Sequence, residues 1–192
     1  MKLFLVRHGQ TVSNVEGVYA GQTDVMLTDD GRAQAMKIRP ILEKFRFDKV
    51  YSSDLSRAID TQELALPFEN PVRTPLLREV DTGSVTGKTF ADFSALAPEN
   101  VRLERDYSYF GGESRPMVCD RVRQFLKELE QEPCENVAAF AHNGLILSAA
   151  QVVLGAKPAM GSLAGPNCGI HVFEFSKGKW KILAWKYMGD IT

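Results

Sequence analysis

Apolar positions along this chain fall into two rhythms. Leu3 to Val6 and Val137 to Ala141 are apolar without interruption over the length of a strand. That is the pattern of strands covered on both faces. Asp48 to Tyr51 reads as a further short strand. The other rhythm is helical. Val118, Val122, Phe125, Leu126 and Leu129 repeat at helix spacing behind Ser114 and Pro116, which suit a helix start. Ala35, Ile38, Leu42 and Phe45 repeat behind Thr28-Asp29-Asp30, a cap followed by acids that complement the helix dipole. Pro40 inside that pattern predicts a kink or a split.

Shorter signals fill the gaps. Ser52-Ser53-Asp54 offers caps for a helix through about Leu66, Thr89 to Leu96 predicts a short helix, and another runs from about Leu145 to Leu154. Pro71 to Leu77 reads as extended or irregular. Ile170 to Phe175 and Trp180 to Tyr187, on either side of Ser176-Lys177-Gly178, predict a hairpin. Short apolar strands alternating with helices predict an α/β fold, a three-layer sandwich with a mainly parallel central sheet flanked by helices. No repeat or linker divides residues 1–192, so a single domain is expected.

Composition narrows the function classes. The formal net charge is −1 and no long basic run exists, which argues against nucleic acid as a partner. No apolar stretch approaches the ~20 residues of a membrane span. Lys2 with a short apolar run makes a poor signal peptide. Cys119, Cys134 and Cys168 lack zinc or redox spacing and read as reduced thiols of a cytoplasmic protein. No carboxylate or Cys/His cluster suggests a metal, and no cofactor is expected. The pattern specifies no oligomeric state.

In a parallel sheet, ligands bind beyond the carboxyl ends of the strands. Three strand ends here carry unusual residues: Arg7-His8-Gly9, Ser52-Ser53-Asp54 with Arg57 just beyond, and Ala141-His142-Asn143-Gly144. Brought to one edge, they gather two arginines, two of the three histidines and a helix N-terminus. All suit a phosphate group. Taken singly, each residue has an ordinary structural reading. Arg57 is the least comfortable, because a cation in a first helical turn opposes the dipole unless Asp54 neutralises it. His171 alternates with Phe173 and Phe175 on one strand and reads as structural.

These residues, taken in order, resemble the histidine phosphatase superfamily in its phosphoglycerate mutase-like branch. The resemblance runs through Arg7-His8-Gly9-Gln10-Thr11 with Asn14, Gly21 with Asp24 and Leu27-Thr28, and Gly31 with Gln34-Ala35. It continues through Ser52 to Ala58 with Thr61, Leu77-Arg78-Glu79, Gly87-Lys88-Thr89, Gly111-Gly112-Glu113-Ser114 and His142. It implies a phosphoglycerate mutase-like fold and a phosphomonoesterase acting on a small phosphorylated metabolite. It implies His8 as the phosphorylated nucleophile, with Gly9 giving the turn that exposes its ring. Arg7, Arg57 and His142 would bind the phosphoryl oxygens, with Asn14 and the backbone near Gly21 adding hydrogen bonds. Glu79 is the implied acid and base, with Asp81 the runner-up.

A phosphoglycerate mutase-type isomerase using the same intermediate is the close alternative, and a non-catalytic phospholigand-binding relative the distant one. A sugar phosphate, a phosphorylated glycolytic acid and the phosphorylated nucleoside of cobalamin synthesis all fit the resemblance.

Some segments depart from the family pattern or imitate another. Val85 and Thr86 stand where the family often has an aromatic and an acid. Asn143 stands where a glycine is common; it tolerates left-handed angles, and its side chain is a candidate substrate contact. Gly83 to Thr89 imitates a nucleotide-binding P-loop but is one residue short between its glycines and lacks a buried strand before it. Arg102, Arg105, Tyr107 and Tyr109 read either as a lid that selects the organic part of the substrate or as a mixed surface. Residues 90–110 are the main lid candidate.

Overall fold

A computed structural model describes residues 1–157, 163 and 165–187. The strands are β1 (Lys2–Arg7), β2 (Lys49–Ser52), β3 (Val72–Arg73), β4 (Asn136–Ala141), β5 (Ile170–Ser176) and β6 (Lys179–Tyr187). Among the described residues they form one sheet of order β3-β2-β4-β1-β5-β6. β1, β2, β3 and β4 are mutually parallel, and β5 and β6 run antiparallel as the hairpin. The helices are α1 (Val12–Glu16), α2 (Asp29–Leu42), α3 (Ser56–Ala65), α4 (Phe90–Leu96), α5 (Glu99–Glu104), α6 (Arg115–Leu129) and α7 (Asn143–Leu154).

The uninterrupted apolar strands are explained by two cores, one on each face. Leu3, Leu5, Val137, Ala139 and Phe173 point to the face covered by α6 and α7, against Phe125, Leu129 and Leu145. Phe4, Val6, Ala138, Phe140 and Val172 point the other way, to Leu42 of α2 and Ala65 of α3. Alternate residues of each strand serve opposite layers, so no position is left for a polar side chain. Each buried Leu, Val or Phe contributes about 1.5–3 kcal/mol relative to exposure. A third cluster, with Val85, Phe93, Val101, Tyr107 and Val118, lies beneath α4 and α5.

Three local expectations need correction. α2 continues through Pro40 to Leu42 without splitting. The missing N–H costs one bond in the last turn, where chain ends are already short of partners. α3 is not capped by Ser52, Ser53 or Asp54: its N-cap is Leu55, and the amide of Ser56 donates to Asp24 Oδ1 at 2.9 Å. Asn143 needs no left-handed turn, because it is the first residue of α7.

Candidate active site

β1, β2 and β4 end side by side, and the ladder continues one residue past each end that matters. The amide of His8 donates to Ala141 O at 3.0 Å, and that of Ser53 to Phe140 O at 2.9 Å. The register Arg7↔Ala141 therefore sets His8 beside His142, with ring centroids 5.2 Å apart. Rigid strands, not a loop, fix both rings.

His8 is 4% exposed, and its Nδ1 lies 2.7 Å from Gly9 O. A carbonyl only accepts, so Nδ1 carries the proton and Nε2 keeps the lone pair. Gly9 lies outside the left-handed region, so its turn alone does not demand glycine. It is required by contact: a Cβ there would lie 2.4 Å from Gly31 O. Its amide donates to Thr61 Oγ1 at 3.0 Å, and Thr61 donates to Arg57 O at 2.6 Å.

Arg57 is 1% exposed. Its Nη1 donates to Thr23 O and its Nη2 to Gly21 O, both at 2.8 Å, so two of its five N–H groups are used. Asp54 does not neutralise it. That carboxylate makes a bidentate pair with Arg78, at 2.8 and 2.6 Å. Arg7 donates to Gly165 O at 2.6 Å, and its buried Nε has no partner among the described residues. Gly21 thus bears on the site through Arg57: its carbonyl is an acceptor occupied by the guanidinium.

His142 is fully buried, with Nε2 2.9 Å from Ser53 Oγ. Ser53 Oγ already accepts from the Leu55 amide, so its proton is free to donate to Nε2. With Ser53 donating, the imidazole proton sits on Nδ1, a buried atom with no partner among the described residues. Ser53 was read as a cap and as part of the strand-end motif, and its contact with the second histidine was not visible from local sequence.

Glu79 hangs on the amino end of α7. Its Oε1 accepts from the Val80 amide at 2.9 Å and its Oε2 from the Gly144 amide at 3.2 Å. A Cβ on Gly144 would meet Oε1 at 2.3 Å, so any side chain there displaces the carboxylate. Arg121, paired bidentately with Glu113, donates to Leu76 O at 3.0 Å, Arg78 O at 3.2 Å and Glu79 O at 3.4 Å. Glu113 in turn accepts from the Asp81 amide. Glu113 and Arg121 therefore clamp the backbone on both sides of Glu79. Asp81 turns into its own loop, accepting from the Gly83 amide at 2.8 Å, and is not on the cavity wall.

A cavity of about 180 Å³ opens onto these groups. Arg7, His8, Asn14, Gly21, Arg57, Glu79 and Asn143 all line it; His142 lies behind them. Asn14 Oδ1 accepts from the Thr11 amide and from Asn167 Nδ2, which leaves its own NH₂ for a ligand. The four residues considered as a lid divide. Arg105 and Tyr107 line the cavity with Phe90, and Arg102 and Tyr109 do not. Arg115, at the first position of α6, also lines it and was overlooked in the sequence. Gly83 to Val85, within the P-loop imitation, is a single 3₁₀ turn.

Burial holds His8 well below the usual histidine range, with Arg57 and then Arg7 adding like-charge repulsion. His142 is lowered well below that range by burial, and then by Arg57. His171, its ring centroid 4.1 Å from that of Trp185 and tilted by 55°, is lowered to about 4, mainly by burial. Unfolding returns each ring to water near pH 6.5. The unfolded state therefore binds more protons below that pH, and stability falls as pH falls. For His171 the window runs from about 6.5 down to about 4. Between pH 7.5 and 5.5 His171 alone should remove about 1 kcal/mol, and His8 and His142 act in the same direction. Urea denaturation at the two pH values measures this, and equal stabilities would contradict it. In His171→Phe the loss should shrink by about 1 kcal/mol.

Among the described residues no group of three or more His, Cys, Asp or Glu side chains is placed to hold a metal ion. None of the described helices is long and apolar enough to cross a membrane.

Comparison with known proteins identifies relatives along the whole chain. The glucosyl-3-phosphoglycerate phosphatase of Mycobacterium tuberculosis is 36% identical over 219 residues, covering 100% of this chain and 96% of the relative. The adenosylcobalamin/alpha-ribazole phosphatase of Salmonella typhimurium is 30% identical over 159 residues, covering 76% of each. The solved structure of a mycobacterial glucosyl-3-phosphoglycerate phosphatase complexed with VO3 superposes with a TM-score of 0.86 at 31% identity, covering 97% of this chain and 99% of that one. The sequence profile of the histidine phosphatase superfamily (branch 1) matches residues 3–187. The chain belongs to that superfamily and is an enzyme of its phosphomonoester-hydrolase kind.

Proposed function

We propose that the protein hydrolyses a small phosphorylated metabolite in two displacements, through a phosphohistidine on His8. The observation that carries this reading is the His8 ring. Its Nδ1 proton is committed to Gly9 O, its Nε2 lone pair is free, and burial beside Arg57 and Arg7 keeps it neutral. A neutral imidazole is the nucleophilic form.

In the first displacement Nε2 attacks phosphorus and the P–O bond to the leaving group breaks. Arg7 and Arg57 hold the phosphoryl oxygens and meet the charge that develops on them. His142, with its Nδ1 proton, and the Asn14 amide are the neutral donors. Glu79 gives its proton to the departing alkoxide. In the second displacement Glu79 takes a proton from water, the water oxygen attacks the phosphohistidine, and phosphate leaves with Nε2 restored. Asn143 and Gly144 line the same cavity.

The test is phosphate release from a panel of phosphomonoesters in excess chelator, with 3-phosphoglycerate and a trace of 2,3-bisphosphoglycerate included. Free phosphate should exceed 2-phosphoglycerate formation, and chelation should cost nothing. Isomerisation faster than the best phosphate release would overturn hydrolysis as the main reaction. Glu79→Gln should lower kcat/KM more on alkyl phosphates than on p-nitrophenyl phosphate, whose leaving phenolate needs no proton. Equal losses on both would remove Glu79 from the role of acid.

A further inference from the structure

Four arginines line the cavity, Arg7, Arg57, Arg105 and Arg115, facing one carboxylate, Glu79. None of the four makes an ion pair among the described residues. A phosphate dianion cancels two positive charges. The cavity then still holds an uncompensated cation, and two when Glu79 carries the proton it must donate.

Of the two arginines outside the phosphate pair, Arg115 is linked to the segment that holds Glu79, and Arg105 lines the same cavity. Arg115 Nη1 donates to Ser148 Oγ at 3.3 Å, Ser148 donates to Gly144 O at 2.9 Å, and the Gly144 amide donates to Glu79. Arg115 is thus tied to the helical turn that holds the acid. Its Nε is buried and has no partner among the described residues. A buried guanidinium N–H without an acceptor is costly and calls for an explanation. Arg115 also stands in the first turn of α6, where a cation opposes the dipole. Arg105 takes left-handed backbone angles (φ 49°) at the end of α5, a place where glycine is the usual residue. Both positions carry arginine against local preference, and both meet the same cavity. Tyr19, Phe90 and Tyr107 line the same cavity, with Tyr19 and Phe90 edge to face at 4.7 Å.

We propose that the substrate carries a second anionic group, a carboxylate or a second phosphate, on the part that leaves, and that Arg115, with Arg105, receives it. The proposal rests on the phosphomonoesterase reading for which end of the ligand lies at His8. It makes the substrate a phosphorylated acid or a bisphosphate on a short carbon skeleton, in preference to a neutral phosphorylated alcohol.

Calorimetric titration of His8→Ala, which cannot turn the ligand over, tests it. 3-Phosphoglycerate is compared with glycerol 3-phosphate, and propane-1,3-diol bisphosphate with propyl phosphate; each pair differs in the second anion. At least one pair should show the dianionic-plus-anionic ligand binding ~10-fold tighter or more. Arg115→Met in the same background should bring that ratio to within about twofold, and Arg115→Lys should retain part of it. A preference in the carboxylate pair alone, or in the bisphosphate pair alone, identifies which anion is taken. Ratios below ~10-fold in both pairs, or a preference that survives Arg115→Met with an unchanged melting temperature, would overturn the proposal. Failure of the hydrolytic reading shows separately, as wild-type protein that releases no phosphate from any of these esters while the binding ratios remain measurable.

Discussion

His8→Ala should abolish rapid, acid-labile phosphoryl labelling by substrate and lower phosphate release by roughly 10⁴–10⁶-fold, the scale on which loss of a nucleophile in a preorganised site is felt. The prediction follows from the position of the ring. His8 is held by the β1–β4 ladder through its amide and by Gly9 O through Nδ1, so the substitution removes one imidazole and leaves the strand and both flanking arginines in place. His142 cannot substitute for it: its Nε2 faces Ser53 Oγ and it is fully buried. Labelling is followed after rapid quenching in base, where phosphohistidine survives, and again after acid, where it does not. Label retained by His8→Ala would assign the intermediate to another residue.

Arg57→Ala should lower kcat/KM by ~10²–10³-fold, because one directed donor in a water-excluded site is worth about 2.7–4 kcal/mol. The guanidinium cannot swing away in the free protein. Gly21 O and Thr23 O hold it, and its helix begins at an amide capped by Asp24. Charge alone does not restore that geometry, so Arg57→Lys should recover only part of the loss. The loop at residues 21–24 also loses its anchor, so the melting temperature is measured alongside. A change in kcat/KM below about fivefold would place Arg57 outside the phosphoryl site.

What could be read in advance was whatever the chain encodes locally. Leu3 to Val6 and Val137 to Ala141 announced strands buried on both faces, and they are the two central partners β1 and β4. The helix behind Ser114 starts where Ser114 caps and Pro116 allows it to start. The order of motifs placed His8, Arg57, Glu79 and His142 on the list of site residues, and the parallel sheet brings the ends that carry them to one edge.

What could not be read depends on contacts between distant segments. Asp24 caps α3 from 32 residues away, and no rule of adjacent residues finds it. Glycine is required at position 9 by contact with Gly31, because α2 passes close to β1's exit. Arg115 was hidden by its place at a helix start, where an arginine looks like surface. Only the cavity shows that its Nε is enclosed. α1 did leave a signal that went unused: Thr11 and Asn14 form a reciprocal capping box, three residues apart.

The sheet order has a consequence for the chain as it is being made. β1 lies between β4 and β5, and its pairing begins only with Asn136 and ends with Glu174. A ribosome delivers β1 first and its neighbours roughly 10–30 s later. Over that interval Leu3, Phe4, Leu5 and Val6, all buried in the finished protein, have no strand to pair with. Such a segment, rich in strand-forming residues and free of charge, is the kind that sticks to other nascent chains. His8 is therefore translated well before its setting exists, because that setting needs β4 and β5, and the chaperones that shield apolar strands have a long task at the segment that carries His8.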